Sequence, residues 1–175
     1  MDKVLIVIDM QRDFINGSLG TKEAQEIVPK VCKRMEDHLA KGGYVFLTRD
    51  IHGYDYEKTL EGRKLPVRHC IEMTPGMEFD DAVSEIIKRY PNQCLILSKR
   101  QFGFMNWWQK LDVRDEIMIC GLCTDVCVLV NAIILRSEYP NTRITLYADS
   151  CAGTTPEKHE AALNVMESCH IEVIK

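Results

Sequence analysis

Val4-Leu-Ile-Val-Ile8 is an unbroken run of five apolar residues, four of them β-branched, that stops at Asp9. A strand with one wet face alternates apolar and polar side chains. A continuous run reads instead as a strand covered on both faces, as in a parallel sheet. Similar runs recur at 44–48, 94–97, 117–120, 144–147 and 171–174. Between them lie helical patterns. In 21–40, Ile27, Val31, Met35 and Leu39 recur every four residues and the pattern stops at Gly42-Gly43; Pro29 is expected to trim or bend its start. Further helices are expected at 81–90, at 124–139 with Thr124 as cap, and at 156–168, where Pro156 follows Thr155. Strand alternating with helix predicts a three-layer α/β/α fold with a mostly parallel, roughly six-stranded sheet and right-handed crossovers. Residues 1–175 are read as a single domain. The segment 51–79, rich in Gly, Pro and charge, does not fit the alternation, and a loop of that size in a compact domain is usually functional.

A net charge of −4 and the lack of any basic run argue against a nucleic-acid partner. No stretch approaches the ~20 apolar residues of a membrane span, and the first apolar run is too short for a signal core. The eight cysteines are therefore expected to be reduced, in a cytoplasmic protein.

Ligands of open parallel sheets bind beyond the carboxyl ends of the strands. Standing there are Asp9, Gln11, Asp13 and Phe14; Asp50 and His52; Ser98, Lys99 and Arg100; Gly121, Cys123, Asp125 and Cys127; Asp149 and Ser150. Cys127 falls in the first turn of a helix, where free amides and the helix dipole lower a thiol pKa and can hold an oxyanion. The other reading of the same position is a small buried residue facing the sheet. Asp9 as proton acceptor and Lys99 as its counter-charge would complete a nucleophilic triad without histidine. Asp50, His52, Glu61 and His69 form a mixed oxygen and nitrogen set suited to Zn²⁺, Mn²⁺ or Fe²⁺, although His69 beside Cys70 also reads as a packed core residue. Cys120-Gly-Leu-Cys123 is a CxxC, but no second pair accompanies it and its first cysteine closes a strand.

Asp9-Met-Gln-Arg-Asp-Phe14, Lys99 and Gly121-Leu-Cys-Thr-Asp-Val-Cys-Val128 resemble the three sequence blocks of the isochorismatase-like cysteine hydrolases. The resemblance implies that Asp9, Lys99 and Cys127 are catalytic, that the main-chain N–H groups of Cys123 and Cys127 form the oxyanion hole, and that the Leu122–Cys123 peptide is cis. Thr48-Arg-Asp-Ile-His52, Glu61-Gly62, Leu65-Pro-Val-Arg-His-Cys70 and Thr74-Pro-Gly76 resemble the nicotinamidase branch. That likeness implies one divalent metal, zinc foremost with manganese or iron as alternatives, on Asp50, His52, Glu61 and His69. Glu61 would replace a further histidine seen in other members. Leu65 stands where many relatives carry Trp, which would make that pocket wall aliphatic.

The implied activity is hydrolysis of nicotinamide, or a related pyridine amide, to the acid and ammonia through a Cys127 thioester. Phe14, Leu65, Phe102 and Leu122 would contact the substrate, and 51–79 would be the metal- and substrate-binding insertion. A homodimer or homotetramer is expected by the same likeness, with Trp107-Trp108 as an interface pair; His38, His159 and His170 are expected to face solvent. The rivals are another small-amide or enol-ether hydrolase of the family, which needs no metal, and a non-catalytic or redox protein on the same scaffold.

Overall fold

The computed structural model describes residues 3–112 and 116–175. Six strands, β1 (Lys3–Ile8), β2 (Tyr44–Asp50), β3 (Cys94–Lys99), β4 (Glu116–Leu122), β5 (Arg143–Ala152) and β6 (Glu172–Ile174), form one sheet in the order β3-β2-β1-β4-β5-β6. Every pairing is parallel. Val4–Ile8 is buried throughout, as the lack of alternation requires of the strand between β2 and β4. The helices are α1 (Arg12–Ile15), α2 (Lys22–Leu39), α3 (Leu60–Lys64), α4 (Asp81–Arg89), α5 (Leu129–Glu138) and α6 (Pro156–Ser168). α2 packs with α4 and α5 with α6, one pair on each face of the sheet, as right-handed crossovers dictate. Among the described residues, no helix is long and apolar enough to cross a membrane.

Several expectations need correction. α2 runs through Pro29 rather than being trimmed there: Thr21 caps it through Ala24 N–H (3.0 Å), and Ala24, Ile27, Val31, Met35 and Leu39 bury its inner stripe. The segment 51–79 is not wholly irregular; it holds α3 and two 3₁₀ turns, Tyr56–Lys58 and Pro75–Met77. Trp107 is fully buried against Phe104 and only Trp108 is exposed, so they are not a surface pair. His38 and His159 are half-buried, leaving only His170 exposed; His38 Nε2 lies 3.1 Å from Tyr44 O.

β5 is longer than its apolar run because it bulges. Ile119 pairs with Leu146 but Gly121 with Cys151, so β5 advances five residues where β4 advances two. Arg34 of α2 holds the extra residues, bonding Ser150 Oγ and Asp149 Oδ1 (2.7 Å each) and lying 3.6 Å over the Tyr147 ring. Asp149 and Ser150 therefore face α2 and not the strand-end site.

At Gly121, φ is +122°, and a Cβ would strike the Ile8 carbonyl of β1. Gly121→Val is expected to cost about 2–4 kcal/mol, combining backbone strain with steric displacement of a central strand. Urea unfolding monitored by circular dichroism measures it.

Candidate active site

The strand order reverses direction between β1 and β4, and the expected residues gather beyond the carboxyl ends on either side of that switch. Asp9 follows β1 with φ +46°, a left-handed conformation that Asp tolerates better than most residues. Thr48 fixes it: its hydroxyl accepts from Asp9 N–H (3.2 Å) and donates to Asp9 Oδ1 (2.6 Å). Lys99 closes β3 in register with Asp50. Its ammonium, fully enclosed, lies 2.7 Å from Asp9 Oδ2, 3.4 Å from Asp50 Oδ1 and 3.6 Å from Cys127 Sγ.

Cys127 lies in a π-turn, Thr124–Val128, that precedes α5. Val128 N–H closes on the Cys123 carbonyl at 3.1 Å, a five-residue step that widens the turn. Thr124 does not cap the helix; its hydroxyl instead pairs with His159 Nδ1 at 2.8 Å. The Leu122–Cys123 peptide is cis.

The expected lowering of the Cys127 pKa is overturned. Burial, then the Asp9 carboxylate, push this thiol well above its ordinary value, with Lys99 opposing. Desolvation outweighs the helix end because the thiol is 6% exposed. Burial also raises Asp9 despite Lys99. Burial disfavours the Lys99 ammonium, yet the Asp9 and Asp50 carboxylates more than compensate and keep it charged. Burial thus favours the neutral thiol, with the Lys99 ammonium 3.6 Å from its sulfur and 2.7 Å from Asp9 Oδ2.

Asp50, His52 and His69 each present a buried donor atom, all within 4.8 Å of one another. Glu61 Oε1 stands 3.7 Å from both imidazole Nε2 atoms. Thr59 caps α3 through Gly62 N–H (2.9 Å), which sets Glu61 in its first turn. Gly62 permits this because a Cβ there would collide with the Tyr56 carbonyl. His69 Nδ1 donates to the Val67 carbonyl at 2.9 Å, which turns Nε2 towards Asp50 and Glu61. His52 Nε2 is enclosed and lies 2.9 Å from Asp50 Oδ2, yet makes no well-aligned hydrogen bond. Burial disfavours a charged His52, but Asp50 outweighs it and raises its pKa; burial likewise opposes Asp50 ionisation and is overcome by His52 and Lys99.

Residues that sequence reasoning gave no role hold these groups in place. Buried Gln11 donates to the Asp50 and Met77 carbonyls (2.8 and 2.7 Å) and accepts from Asp50 N–H (2.7 Å). Asp13 Oδ2 accepts from Cys70 N–H at 2.7 Å and so anchors the His69 loop, which turns at Cys70 (φ +46°). Buried Tyr56 sets its ring against His52 and His69 (centroids 4.8 and 5.1 Å) and donates to the Leu65 carbonyl. Asn131 donates to the Cys127 and Phe102 carbonyls (2.8 and 3.2 Å) and joins the thiol's turn to the Phe102 loop. The polar residues at strand ends were the available signal; their partners, tens of residues away, were not.

One cavity of about 420 Å³ is lined by Cys127 and Cys123, by Asp50, Glu61 and His69, and by Phe14, Leu65, Phe102 and Leu122. All eight cysteines are free. Burial pushes Cys120 and Cys123 each up to about 12, so the CxxC lacks the reactive thiolate of a redox pair.

Residues 3–175 match the isochorismatase domain family. A nicotinamidase of Schizosaccharomyces pombe is 27% identical over 97% of this chain and 91% of its own length. The crystal structure of a Bacillus subtilis nicotinamidase/pyrazinamidase superposes with a TM-score of 0.87 at 25% identity, covering 100% of both chains. That of a Pyrococcus horikoshii pyrazinamidase in complex with zinc gives 0.81 at 30% identity, covering 100% of this chain and 99% of that one. With its strand order, strand-end carboxylate, lysine and thiol, the chain belongs to the isochorismatase domain family.

Proposed function

We propose that the protein is a metal-dependent nicotinamidase, hydrolysing nicotinamide or a closely related pyridine carboxamide to the acid and ammonia. The observation that carries this reading is the single cavity shared by Cys127 and the Asp50–Glu61–His69 side. A metal-free hydrolase of the family has no use for two imidazoles and two carboxylates converging there. The nicotinamidase and pyrazinamidase relatives support the same substrate class.

The donor set suits a divalent ion: His52 Nε2 is enclosed with no well-aligned hydrogen bond, and His69, which donates through Nδ1 to the Val67 carbonyl, turns Nε2 towards Asp50 and Glu61. Asp50, His52 and His69 would hold the metal with Glu61 beside them, and a mixed N/O set favours zinc with manganese or iron as alternatives. When bound, such an ion supplies a positive site for a pyridine nitrogen.

The remaining chemistry belongs to the chain. Phe14 and Phe102 flank the ring, and Leu65 and Leu122 exclude water from it. The Cys127 sulfur attacks the amide carbon as Asp9 takes the thiol proton. Because burial disfavours a free thiolate, transfer and attack proceed together. Main-chain N–H groups of Cys123 and Cys127 hold the tetrahedral oxyanion, where one donor is typically worth about 3 kcal/mol. Asp9 returns the proton to the departing ammonia; it then takes a proton from water, whose oxygen cleaves the thioester and releases the acid. Lys99 balances the charge on Asp9 throughout.

Ammonia release from nicotinamide, measured with and without chelator beside elemental analysis, tests the reading. Activity is expected to fall at least tenfold on chelation and to return with metal. His69→Ala is expected to lower bound metal at least tenfold while leaving the circular dichroism spectrum unchanged. Full turnover by metal-free protein would favour the metal-independent rival.

A further inference from the structure

The cavity is larger than a single-ring amide requires. At about 420 Å³ it lies in the range that accepts drug-sized ligands. It runs along the strand ends from Asp50, closing β2, past Cys127 beyond β4, to Gly153, Thr154 and Lys158 beyond β5. Those strands are three spacings apart, or about 14 Å. With the ring on the His69 side and the carbonyl at Cys127, the compartment beyond the thiol faces the leaving nitrogen.

That compartment is firmly built. Asp125 accepts from both Thr154 N–H (2.7 Å) and Thr154 Oγ–H (2.6 Å), tying the loop after β5 to the thiol's turn. Thr155 caps α6 by accepting from Lys158 N–H at 3.2 Å, and the His159–Thr124 bond pins the same helix to the π-turn. The charged residues lining the cavity are Asp50 and Glu61 at the ring end and Lys158 at the other. Lys158 makes no ion pair with any described residue. Lys158 is the one cation lining the cavity, at the end shared with Leu19, Ala24, Val126 and Thr154, and an exposed cation there favours an anionic group.

We propose that the enzyme also cleaves secondary amides whose leaving amine carries a carboxylate, with Lys158 as the specificity-determining residue for that group. The inference rests on the amidase reading above, and N-nicotinoylglycine is the simplest such substrate. Its carbonyl–nitrogen bond breaks as the Cys127 thioester forms. The thiol proton passes through Asp9 to the amine, which leaves as glycine. Water then hydrolyses the thioester to nicotinate, so no further reactant is needed.

The test compares kcat/KM of the metal-loaded enzyme for nicotinamide, N-nicotinoylglycine, neutral N-propylnicotinamide and 5-carboxynicotinamide, in the parent and in Lys158→Met and Lys158→Glu. Expected is turnover of N-nicotinoylglycine at least tenfold above the neutral secondary amide. Lys158→Met should erase that preference and Lys158→Glu reverse it, while nicotinamide turnover stays within about twofold. Nicotinamide turnover without any of N-nicotinoylglycine overturns this inference and leaves the amidase reading intact; turnover of neither overturns that reading. Equal turnover of the charged and neutral secondary amides removes Lys158 from recognition. A preference for 5-carboxynicotinamide places the anion on the ring instead.

Discussion

Cys127→Ala is expected to lower nicotinamide turnover by at least about 10⁴-fold while leaving a folded protein. The covalent route has one sulfur in reach of both Asp9 and Lys99, and removal of a nucleophile from a cooperating set abolishes nearly all of the set's contribution. The structural cost is small: one buried sulfur atom is lost, worth about 1 kcal/mol by analogy with a deleted methylene. Cys123→Ala supplies the control, since it keeps the main-chain N–H and should retain activity within about tenfold. A single-turnover experiment with the parent enzyme should trap an acyl group on Cys127 by mass spectrometry, and Cys127→Ala should trap none. Turnover by Cys127→Ala within a hundredfold of the parent would exclude the thioester route.

Lys99→Met is expected to destabilise the metal-free protein by about 3–5 kcal/mol, the range for removing one partner of a buried ion pair. The effect is large because Lys99 is the cation against buried Asp9: its ammonium lies 2.7 Å from Asp9 Oδ2 and 3.4 Å from Asp50 Oδ1, Asp50 keeps His52 as a second partner, and the side chains of Asp9 and Lys99 have no solvent exposure. For a chain of this size the loss corresponds to about 6–20 °C in Tm. Its pH dependence has a definite sign. Without Lys99 the Asp9 pKa rises further above its unfolded value, so the variant should regain stability as pH falls and Asp9 takes up a proton. Asp9→Asn combined with Lys99→Met should recover much of the loss and remain inactive, a non-additivity that a double-mutant cycle reads directly. A penalty below about 1 kcal/mol would mean that the cluster does not need its cation.

The sheet was legible because parallel strands between helix layers must be apolar on both faces, and Val4–Ile8 advertises that directly. The site was legible where chemistry concentrates at strand ends: Asp9, Asp50, Lys99 and Cys127 could be placed by position, and the likeness of the sequence blocks then gave them roles. What the sequence hid is what long-range contacts decide. Gln11 could be placed at a strand end but not given its partners, the Asp50 and Met77 carbonyls. Tyr56 sits in a charged stretch yet is wholly buried between the two histidines and Leu65. The length of β5 depends on Arg34, more than a hundred residues away. The state of Cys127 was misjudged for the same reason. Helix position is a local property, whereas burial beside Asp9 exists only in the folded molecule.

The position of β1 between β2 and β4 also has a biosynthetic consequence. Its first partner is made soon after it, but the second begins only at Glu116. A nascent chain emerging N-terminus first can assemble β3-β2-β1 and leave the apolar β1 edge bare. An uncovered apolar edge is a template for pairing with another chain, so the interval before β4 arrives is when ribosome-bound chains most need a chaperone. The half made first carries Asp9, Asp50 and Lys99, and the half made second carries the thiol. Neither can begin the chemistry until the sheet has closed over its own middle strand.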